Sequence, residues 1–222
     1  MGEYFCWVNV DKKEYLCPND FDQGNKCRET VHRENPLLNA LYELLSDEWS
    51  GDRVMFLGDE CDLAEKPEYE ILRSLTDGIN HYEKSNYFDT MVENYRNVSC
   101  LFEAAEEDVR PEILHYIEDL KLGNAAINEY GVKTESPMEG LFCRKGMTFR
   151  YIINHTKKLY YSFALTKILY MDRTESHHVD PLPVLLGCGR SVETGLWVGD
   201  CISAADEVDD TYILLEEISL DW

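Results

Sequence analysis

The stretch that decides the fold reads Trp49-Ser50-Gly51-Asp52-Arg53-Val54, and the chain contains a version of it twice. Near the other end it returns as Trp197-Val198-Gly199-Asp200-Cys201-Ile202. An acidic pair follows in each place, Asp59-Glu60 in the first and Asp206-Glu207 in the second. A Trp-x-Gly-Asp stretch in two places predicts that one structural unit occurs twice.

Other matches occur in the same order along the chain. They are Asn9-x-x-Lys12-Lys13-x-Tyr15 with Asn154-x-x-Lys157-Lys158-x-Tyr160 and Pro36-Leu37 with Pro181-Leu182, both at an offset of 145, and Tyr69-Glu70-Ile71-Leu72 with Tyr212-Ile213-Leu214-Leu215 at 143. The Trp-x-Gly-Asp stretches are 148 residues apart and the acidic pairs 147. We therefore predict two copies of one unit, at about residues 3–77 and 148–222.

Each copy has the local pattern of a hairpin, a helix and a strand. In the first copy the predicted elements are a strand over Tyr4–Val10, a turn over 11–13, a return strand from Glu14 to Cys17, a helix that Asn35 caps and Pro36 begins, and a buried strand over Arg53–Leu57. In the second copy they are strands at Phe149–Ile153 and from Tyr160, a short helix over Leu182–Leu186 after Asp180-Pro181, and a weaker strand at Cys201–Ala204. The fold class that follows is α+β, with the two β-rich units packed as a pseudo-symmetric pair.

The middle of the chain is predicted to be a helical insertion. Apolar side chains at Tyr87, Phe88, Met91, Val92 and Tyr95 share one helical face, and a second helix is predicted from about Asp108 to Gly123. The predicted division is 1–77 for the first unit, 78–140 for the insertion and 141–222 for the second unit, all in one compact body.

The first unit also resembles a family of small uncharacterised proteins from bacteria, archaea and mobile elements. The residues that carry the resemblance are Lys12-Lys13-Glu14-Tyr15-Leu16-Cys17-Pro18, Phe21, Gly24, Lys26, Trp49-x-Gly51-Asp52-Arg53-Val54 and Gly58-Asp59. The second unit departs from the pattern, because Cys201 stands in place of Arg53. The resemblance implies no activity and transfers no catalytic residue.

Charge is the strongest compositional signal. The chain has 43 acidic and 21 basic residues, a net charge of −22. Nucleic acid and anionic membranes are poor partners for such a surface, whereas a basic protein surface is a good one. No run approaches the roughly 20 apolar residues of a membrane span, and no basic segment followed by an apolar run begins the chain. We therefore predict a cytoplasmic protein.

The eight cysteines form no C-x-x-C pair and no zinc-binding spacing. We predict reduced thiols, mostly in or near the core. The two tryptophans of the repeated stretch are predicted to be core residues, and His177-His178 are predicted to lie in a polar loop.

Dense carboxylates follow each Gly-Asp stretch. Asp52, Asp59, Glu60 and Asp62 form one group, and Asp200, Asp206, Glu207, Asp209 and Asp210 form its counterpart. Several carboxylates together bind hard cations or perform acid–base chemistry. The alternative is a tight turn in which the aspartate bonds to its own backbone, followed by a solvated loop. We favour the turn, and therefore predict no metal, no cofactor and no catalytic residue.

The function that these observations favour is an acidic interaction protein that binds and inhibits or restrains another protein. A basic nucleic-acid-processing enzyme is the expected class of partner, as for immunity proteins and phage-encoded inhibitors of bacterial defence. The first unit and the insertion carry most of the negative charge, so the predicted partner-binding residues are Arg53, Glu103, Glu106, Glu107, Asp108 and Glu112. Two alternatives stay open: a structural or scaffold subunit of an oligomer, and a metal-assisted enzyme that uses the acidic loops.

Overall fold

The computed structural model describes residues 2–33, 36–61, 87–102, 149–170 and 174–220. These residues form a mixed α+β fold with more strand than helix. The helices are α1 (Pro36–Ser46), α2 (Tyr87–Asn94) and α3 (Leu182–Leu185), with 3₁₀ turns at Pro18–Phe21 and Ser99–Leu101. The strands are β1 (Phe5–Asn9), β2 (Glu14–Leu16), β3 (Asp52–Gly58), β4 (Arg96–Asn97), β5 (Tyr151–Asn154), β6 (Leu159–Tyr161), β7 (Lys167–Tyr170), β8 (Thr174–Glu175), β9 (Gly187–Cys188), β10 (Cys201–Ala205), β11 (Ile213–Leu214) and β12 (Glu217–Leu220).

Nine of the described strands form the main sheet, in the order β11-β6-β5-β10-β3-β1-β2-β4, with β9 beside the second half of β3. The sequence of parallel and antiparallel pairings is the same when it is followed inward from either edge of the sheet. The outermost pairs, β11 with β6 and β2 with β4, are parallel, and the pairs between them are antiparallel. At the middle, β3 and β10 pair through Arg53 with Cys201 and Asp52 with Ile202.

The central strands are buried on both faces, and their side chains alternate between two apolar clusters. On β1, Phe5 and Trp7 join the larger cluster, while Cys6 and Val8 join the smaller one. Helix α1 packs against β10 on the larger side, and Met91 of α2 is buried in the smaller cluster. The main sheet therefore has the larger apolar cluster with α1 on one face and the smaller cluster with α2 on the other.

A second sheet of three strands, β12-β7-β8, was not expected from the sequence. Its buried residues Ile168, Ile218 and Leu220 belong to the larger cluster, so it extends the same core. Strand β7 pairs in parallel with β12, about fifty residues later in the chain, from Lys167 with Glu217 to Tyr170 with Leu220.

The hairpin, helix and strand predictions are confirmed for both halves, within one or two residues at each boundary. The predicted helix near Asp108, the Asn35 cap and the match at Tyr69–Leu72 lie outside the described residues. Among the described helices, none combines the length and the apolar character that crossing a bilayer requires.

Candidate functional site

The Gly-Asp turn of the first half is held by three side chains, Asn9, Lys12 and Asp52, which we call turn cluster 1. The Asn9 amide donates to Asp52 Oδ2 at 2.9 Å, and its oxygen accepts the Lys12 backbone N–H at 2.9 Å. The Lys12 ammonium lies 3.3 Å from the same carboxylate. Asp52 therefore bonds to the hairpin rather than to its own backbone.

The second half repeats these contacts with Asn154, Lys157 and Asp200, which we call turn cluster 2. Asn154 donates to Asp200 Oδ2 at 2.7 Å and accepts the Lys157 backbone N–H at 2.9 Å. Lys157 also forms an ion pair with Asp200. In both clusters, a buried asparagine and a lysine bind the aspartate carboxylate that a metal cation would need as a ligand.

Arg53 turns back onto the first hairpin. Its backbone N–H and its Nε each donate to Asp11 at 2.8 Å. Burial raises the pKa of the Asp11 carboxyl, but the hydrogen bonds from Arg53 more than offset it and leave that pKa below its ordinary value. In the second half the matching contact runs from the Cys201 backbone N–H to Thr156 Oγ1 at 2.9 Å. The guanidinium is still partly exposed, so the predicted role of Arg53 in partner binding stays a prediction.

The other carboxylates of the first group lie elsewhere. Asp59 follows the far end of β3, where its Oδ1 accepts the Tyr4 backbone N–H at 2.9 Å. Seven residues of extended chain place it roughly 20 Å from Asp52. Glu60 is exposed, and Asp62 lies outside the described residues. Within the ranges that the structure describes, no three His, Cys, Asp or Glu side chains are grouped as metal ligands.

The second acidic group lies at one edge of the main sheet. Residues 206–217 include six exposed acids and no basic residue; we call this segment the acidic edge. It contains β11, which carries Ile213 with 66% of its surface exposed. Of the predicted partner-binding acids, Glu103, Glu106, Glu107, Asp108 and Glu112 all lie outside the described residues.

One buried carboxylate, that of Glu3, has a binding site that the sequence did not predict. The Glu3 carboxylate accepts the backbone N–H of Arg190 at 2.8 Å and that of Ser191 at 2.7 Å, and Ser191 Oγ donates to it as well. A Cβ added to Gly189 would lie 2.5 Å from this carboxylate. The loop is a nest of backbone donors that the protein fills with its own glutamate, so it is closed to a phosphate.

A Ser-His-Tyr series joins β10, the turn of the second hairpin and the residue before β11, and no sequence pattern indicated it. His155 Nε2 is 2.7 Å from Ser203 Oγ, and its Nδ1 is 3.0 Å from the Tyr212 hydroxyl. Burial lowers the pKa of His155, which favours the neutral ring. The order matches a nucleophile, a base and an orienting group. Ser203 is only 4% exposed, however, so the series closes the hairpin and offers no substrate a path to Oγ.

Asp180 joins three elements of the larger cluster. It accepts hydrogen bonds from the hydroxyls of Tyr42 and Tyr161, and its Oδ1 accepts the Leu182 N–H at 2.9 Å. The last contact ties Asp180 to Leu182, the first residue of the short helix α3. Burial raises the pKa of Asp180 above its ordinary value, although the three hydrogen bonds and the Arg33 charge oppose that rise.

Both repeated tryptophans are confirmed as core residues. Trp49 Nε1 donates to Glu14 Oε2 at 2.7 Å, and Arg96 pairs with the other oxygen of that carboxylate. Of the six cysteines whose side chains the structure describes, none is joined in a disulfide and four are buried.

A cavity of about 670 Å³ opens on the smaller-cluster side of the first hairpin. Its lining includes the thiols of Cys6 and Cys17, the carboxylates of Asp20 and Asp59, and several neutral polar and aromatic groups. No protein-family model, curated protein or solved structure matches this chain.

Proposed function

We propose that the protein binds a basic surface of another protein and restrains it, and that the partner belongs to the nucleic-acid-processing enzymes. The acidic edge is the observation that carries this proposal. Asp206, Glu207, Asp209, Asp210 and Glu216 are exposed there with no basic residue in the segment, whereas Glu217 pairs with Lys167 at 3.6 Å.

Several basic side chains elsewhere are already paired with acidic ones, so they do not offset the negative charge of the acidic edge. Lys12, Arg53, Arg96 and Lys157 are each engaged with an aspartate or glutamate of the same fold. Their positive charge is balanced within the molecule, whereas the acidic edge faces solvent and has Lys158 as a positive charge near Asp209. A closely spaced row of carboxylates matches the cationic groove in which an enzyme holds nucleic acid, and steers association with it.

The acidic edge also offers apolar contact. Among the described residues, β11 has one strand neighbour, β6, and the exposed Ile213 lies between the carboxylates of 206–210 and 216–217. Binding sites commonly combine a desolvated apolar centre with a polar rim, and the exposed Ile213 between two acidic stretches of the chain offers both kinds of contact. The protein would restrain its partner by occupying the groove that its substrate needs.

Charge-reversal variants test the proposal. Asp209→Lys with Asp210→Lys alters the acidic edge, and Asp89→Lys with Glu93→Lys on α2 makes the same change of charge at other exposed positions. We expect the host protein captured by the wild type at low salt to be basic. Its capture should be lost in the edge variant, kept in the α2 variant, and lost at about 1 M salt, where the Debye length is about 3 Å.

The captured protein must also lose nucleic-acid binding when the wild type is added. Capture that survives the edge variant, or a partner whose nucleic-acid binding is unchanged, contradicts the proposal. A cytoplasmic location belongs to the same proposal.

We further propose that the two halves are copies of one unit related by a pseudo-two-fold axis between β3 and β10. The sequence matches, the two turn clusters and the order of strand pairing from either edge support it. Matched substitutions in the two turn clusters provide the test, because equivalent units should respond to them alike.

A further inference from the structure

Cys6 and Cys17 face each other across the first hairpin. Trp7 pairs with Leu16 in the antiparallel register, which places Cys6 opposite Cys17, and Cys17 keeps an extended backbone at φ −101° and ψ 124°. Their side chains therefore point to the same face of the sheet.

The two residues exchange no backbone hydrogen bond. The backbone N–H and C=O groups of the even-numbered residues of β1 point towards β3, as the hydrogen bond from Val10 N–H to Arg53 O shows. The Cys17 N–H, for its part, donates to Ser99 Oγ at 2.9 Å. In such a non-hydrogen-bonded pair the Cα atoms are about 4.5 Å apart. That separation lies within the range over which two cysteines can be bridged.

The two thiols differ in access. Both cysteines border the 670 Å³ cavity, but Cys17 is partly exposed whereas Cys6 is only 2% exposed. A reagent in the cavity therefore reaches the Cys17 sulfur first. Cys6 is placed to react only with Cys17 itself.

The thiols also differ in acidity. A hydrogen bond from the Cys6 thiol lowers the pKa of Cys17, and the backbone N–H groups of Asn19 and Asp20 act in the same direction against burial and the Asp20 charge. The same hydrogen bond and burial raise the pKa of Cys6 well above its ordinary value. Because the thiolate is the nucleophile, Cys17 is the more reactive sulfur.

The other described cysteines lack either the exposure of Cys17 or a neighbouring sulfur. The sulfurs of Cys61 and Cys188 are 3.5 Å apart, but both side chains are almost fully buried. Cys201 is partly exposed like Cys17, but its strand partner is Arg53 rather than a cysteine. Among the thiols that the structure describes, access and a partner sulfur coincide at Cys6 and Cys17.

We propose that Cys6 and Cys17 are a redox-active thiol pair that reacts with small disulfides, with Cys17 as the attacking sulfur and Cys6 as the resolving one. The Cys17 thiolate attacks one sulfur of the disulfide, forms a mixed disulfide and releases one thiolate. Cys6 then loses its proton, attacks Cys17 and releases the second thiolate. Two protein thiols are oxidised to one disulfide, and the small disulfide is reduced to two thiols.

The lining of the cavity selects the class of disulfide. Asp20 and Asp59 are its charged groups, and none of the described residues that line it is a lysine or an arginine. A cationic disulfide such as cystamine should therefore enter more readily than the anionic glutathione disulfide. Focusing of charge in a cleft changes association rates by about tenfold or more.

Peptide mass spectrometry after acid quenching and alkylation tests the proposal. With cystamine, the wild type should form a Cys6–Cys17 disulfide, Cys6→Ser should stop at the mixed disulfide on Cys17, and Cys17→Ser should leave Cys6 unmodified. At low salt, cystamine should react at Cys17 at least about tenfold faster than glutathione disulfide. Cys201 lies outside this cavity and reports the general effect of the protein's negative charge. The ratio of the cystamine rate to the glutathione disulfide rate should therefore be smaller at Cys201 than at Cys17.

A measurement on the wild type alone guards against variants that fail to fold. Alkylation by iodoacetamide, followed peptide by peptide near neutral pH, should be several-fold faster at Cys17 than at Cys201. Equal rates at the two sites, or a cystamine adduct in Cys6→Ser that is no more frequent on Cys17 than on Cys201, would overturn the proposal. So would oxidation of Cys61 and Cys188 in preference to Cys6 and Cys17.

Discussion

Individual carboxylates join segments that are far apart in the chain. Glu3 closes the loop at residues 189–191, Glu14 receives Trp49 and Arg96, and Asp180 receives two tyrosines from different elements. Each of these carboxylates has its hydrogen-bond partners, which is the condition for burying a charge at an acceptable free-energy cost. Part of the acidic excess is therefore structural, and only the exposed remainder is free to act on a partner.

Glu3→Gln should lower the free energy of unfolding by about 2–4 kcal/mol, because hydrogen bonds to a buried charged group contribute about 1.5–3 kcal/mol. The amide nitrogen of the variant would also face a backbone N–H donor. Urea unfolding followed by tryptophan fluorescence measures the loss. Glu193→Gln, at an exposed position, is the matched control and should change stability by less than about 0.5 kcal/mol. Equal losses in the two variants would show that the Glu3 contacts contribute little.

Asp180 should give the protein a specific pH dependence. Its folded-state pKa lies above the ordinary value of 3.8, so its contribution to stability is fully present below that value and is lost as pH rises through the folded pKa. Asp180→Asn removes this dependence. The difference in unfolding free energy, wild type minus variant, should therefore increase in favour of the wild type as pH falls from neutral towards about 3.

The control for that series is Asp47→Asn, which removes a carboxyl that is exposed. Chemical unfolding at low protein concentration avoids precipitation near the pI of about 4.5. If the difference between the wild type and the Asp180→Asn variant stays constant across the pH range, the prediction is wrong.

At the scale of elements, the two Gly-Asp turns should respond alike to mutation. Gly51 and Gly199 have φ of 80° and 77°, in the left-handed region that favours glycine. Each Gly→Ala change should cost about 1–2 kcal/mol, and Gly→Asn less, because asparagine tolerates this conformation better. Thermal unfolding of the four variants measures these costs.

Ser50→Ala, next to the first glycine and exposed, is the control for a change of side chain in an ordinary conformation. If the two halves are copies of one unit, the two turn clusters should also contribute similarly to stability. Asn9→Ala and Asn154→Ala should destabilise the protein by similar amounts, because each removes one donor to an aspartate and one acceptor for a lysine N–H. A large effect at one site and none at the other would argue against equivalent units.

The elements that the sequence predicts well are those that form from nearby residues. The hairpin from β1 to β2 follows from aromatic and β-branched residues that precede a three-residue polar turn, and α1 follows from its leucine spacing. The second sheet does not follow, because β7 pairs with β12 about fifty residues away and β8 has only two residues. Strands β4 and β11 are equally short, and their place at the edges is set by tertiary packing.

The candidate sites show the same division. The sequence groups Asp52 with Asp59, but an extended strand separates them. The thiol pair does not follow from the predicted turn over residues 11–13, because that turn pairs Val10 with Glu14, whereas the structure pairs Asn9 with Glu14 and so places Cys6 opposite Cys17. Nor could Glu3 with Ser191, or Ser203 with His155, be predicted, because no local pattern links residues 188 or 48 positions apart.

For the whole molecule, a net charge of −22 implies self-repulsion in the folded state. Raising sodium chloride from about 0.01 M to about 0.15 M shortens the Debye length from about 30 Å to about 8 Å. We expect the midpoint of thermal unfolding to rise by about 2–4 °C, which corresponds to about 1 kcal/mol for a chain of this size.

Calorimetry at the two salt concentrations measures the effect. Replacing Asp206, Asp209 and Asp210 with asparagine removes three exposed charges from the acidic edge and should reduce the response to salt. If the variant and the wild type respond equally, or if neither responds, long-range repulsion does not limit the stability of this fold.

The position of β3 has a consequence for synthesis on the ribosome. One side of this strand is covered early by β1, but its other side waits for β9 and β10, which leave the ribosome about 130 and 150 residues later. At about 5–20 residues per second that interval lasts roughly 7–30 s. During it, the nascent chain presents a bare strand edge flanked by Val54 and Phe56, a template for aggregation. We therefore expect chaperone supply and translation rate to affect how much of the newly made chain folds.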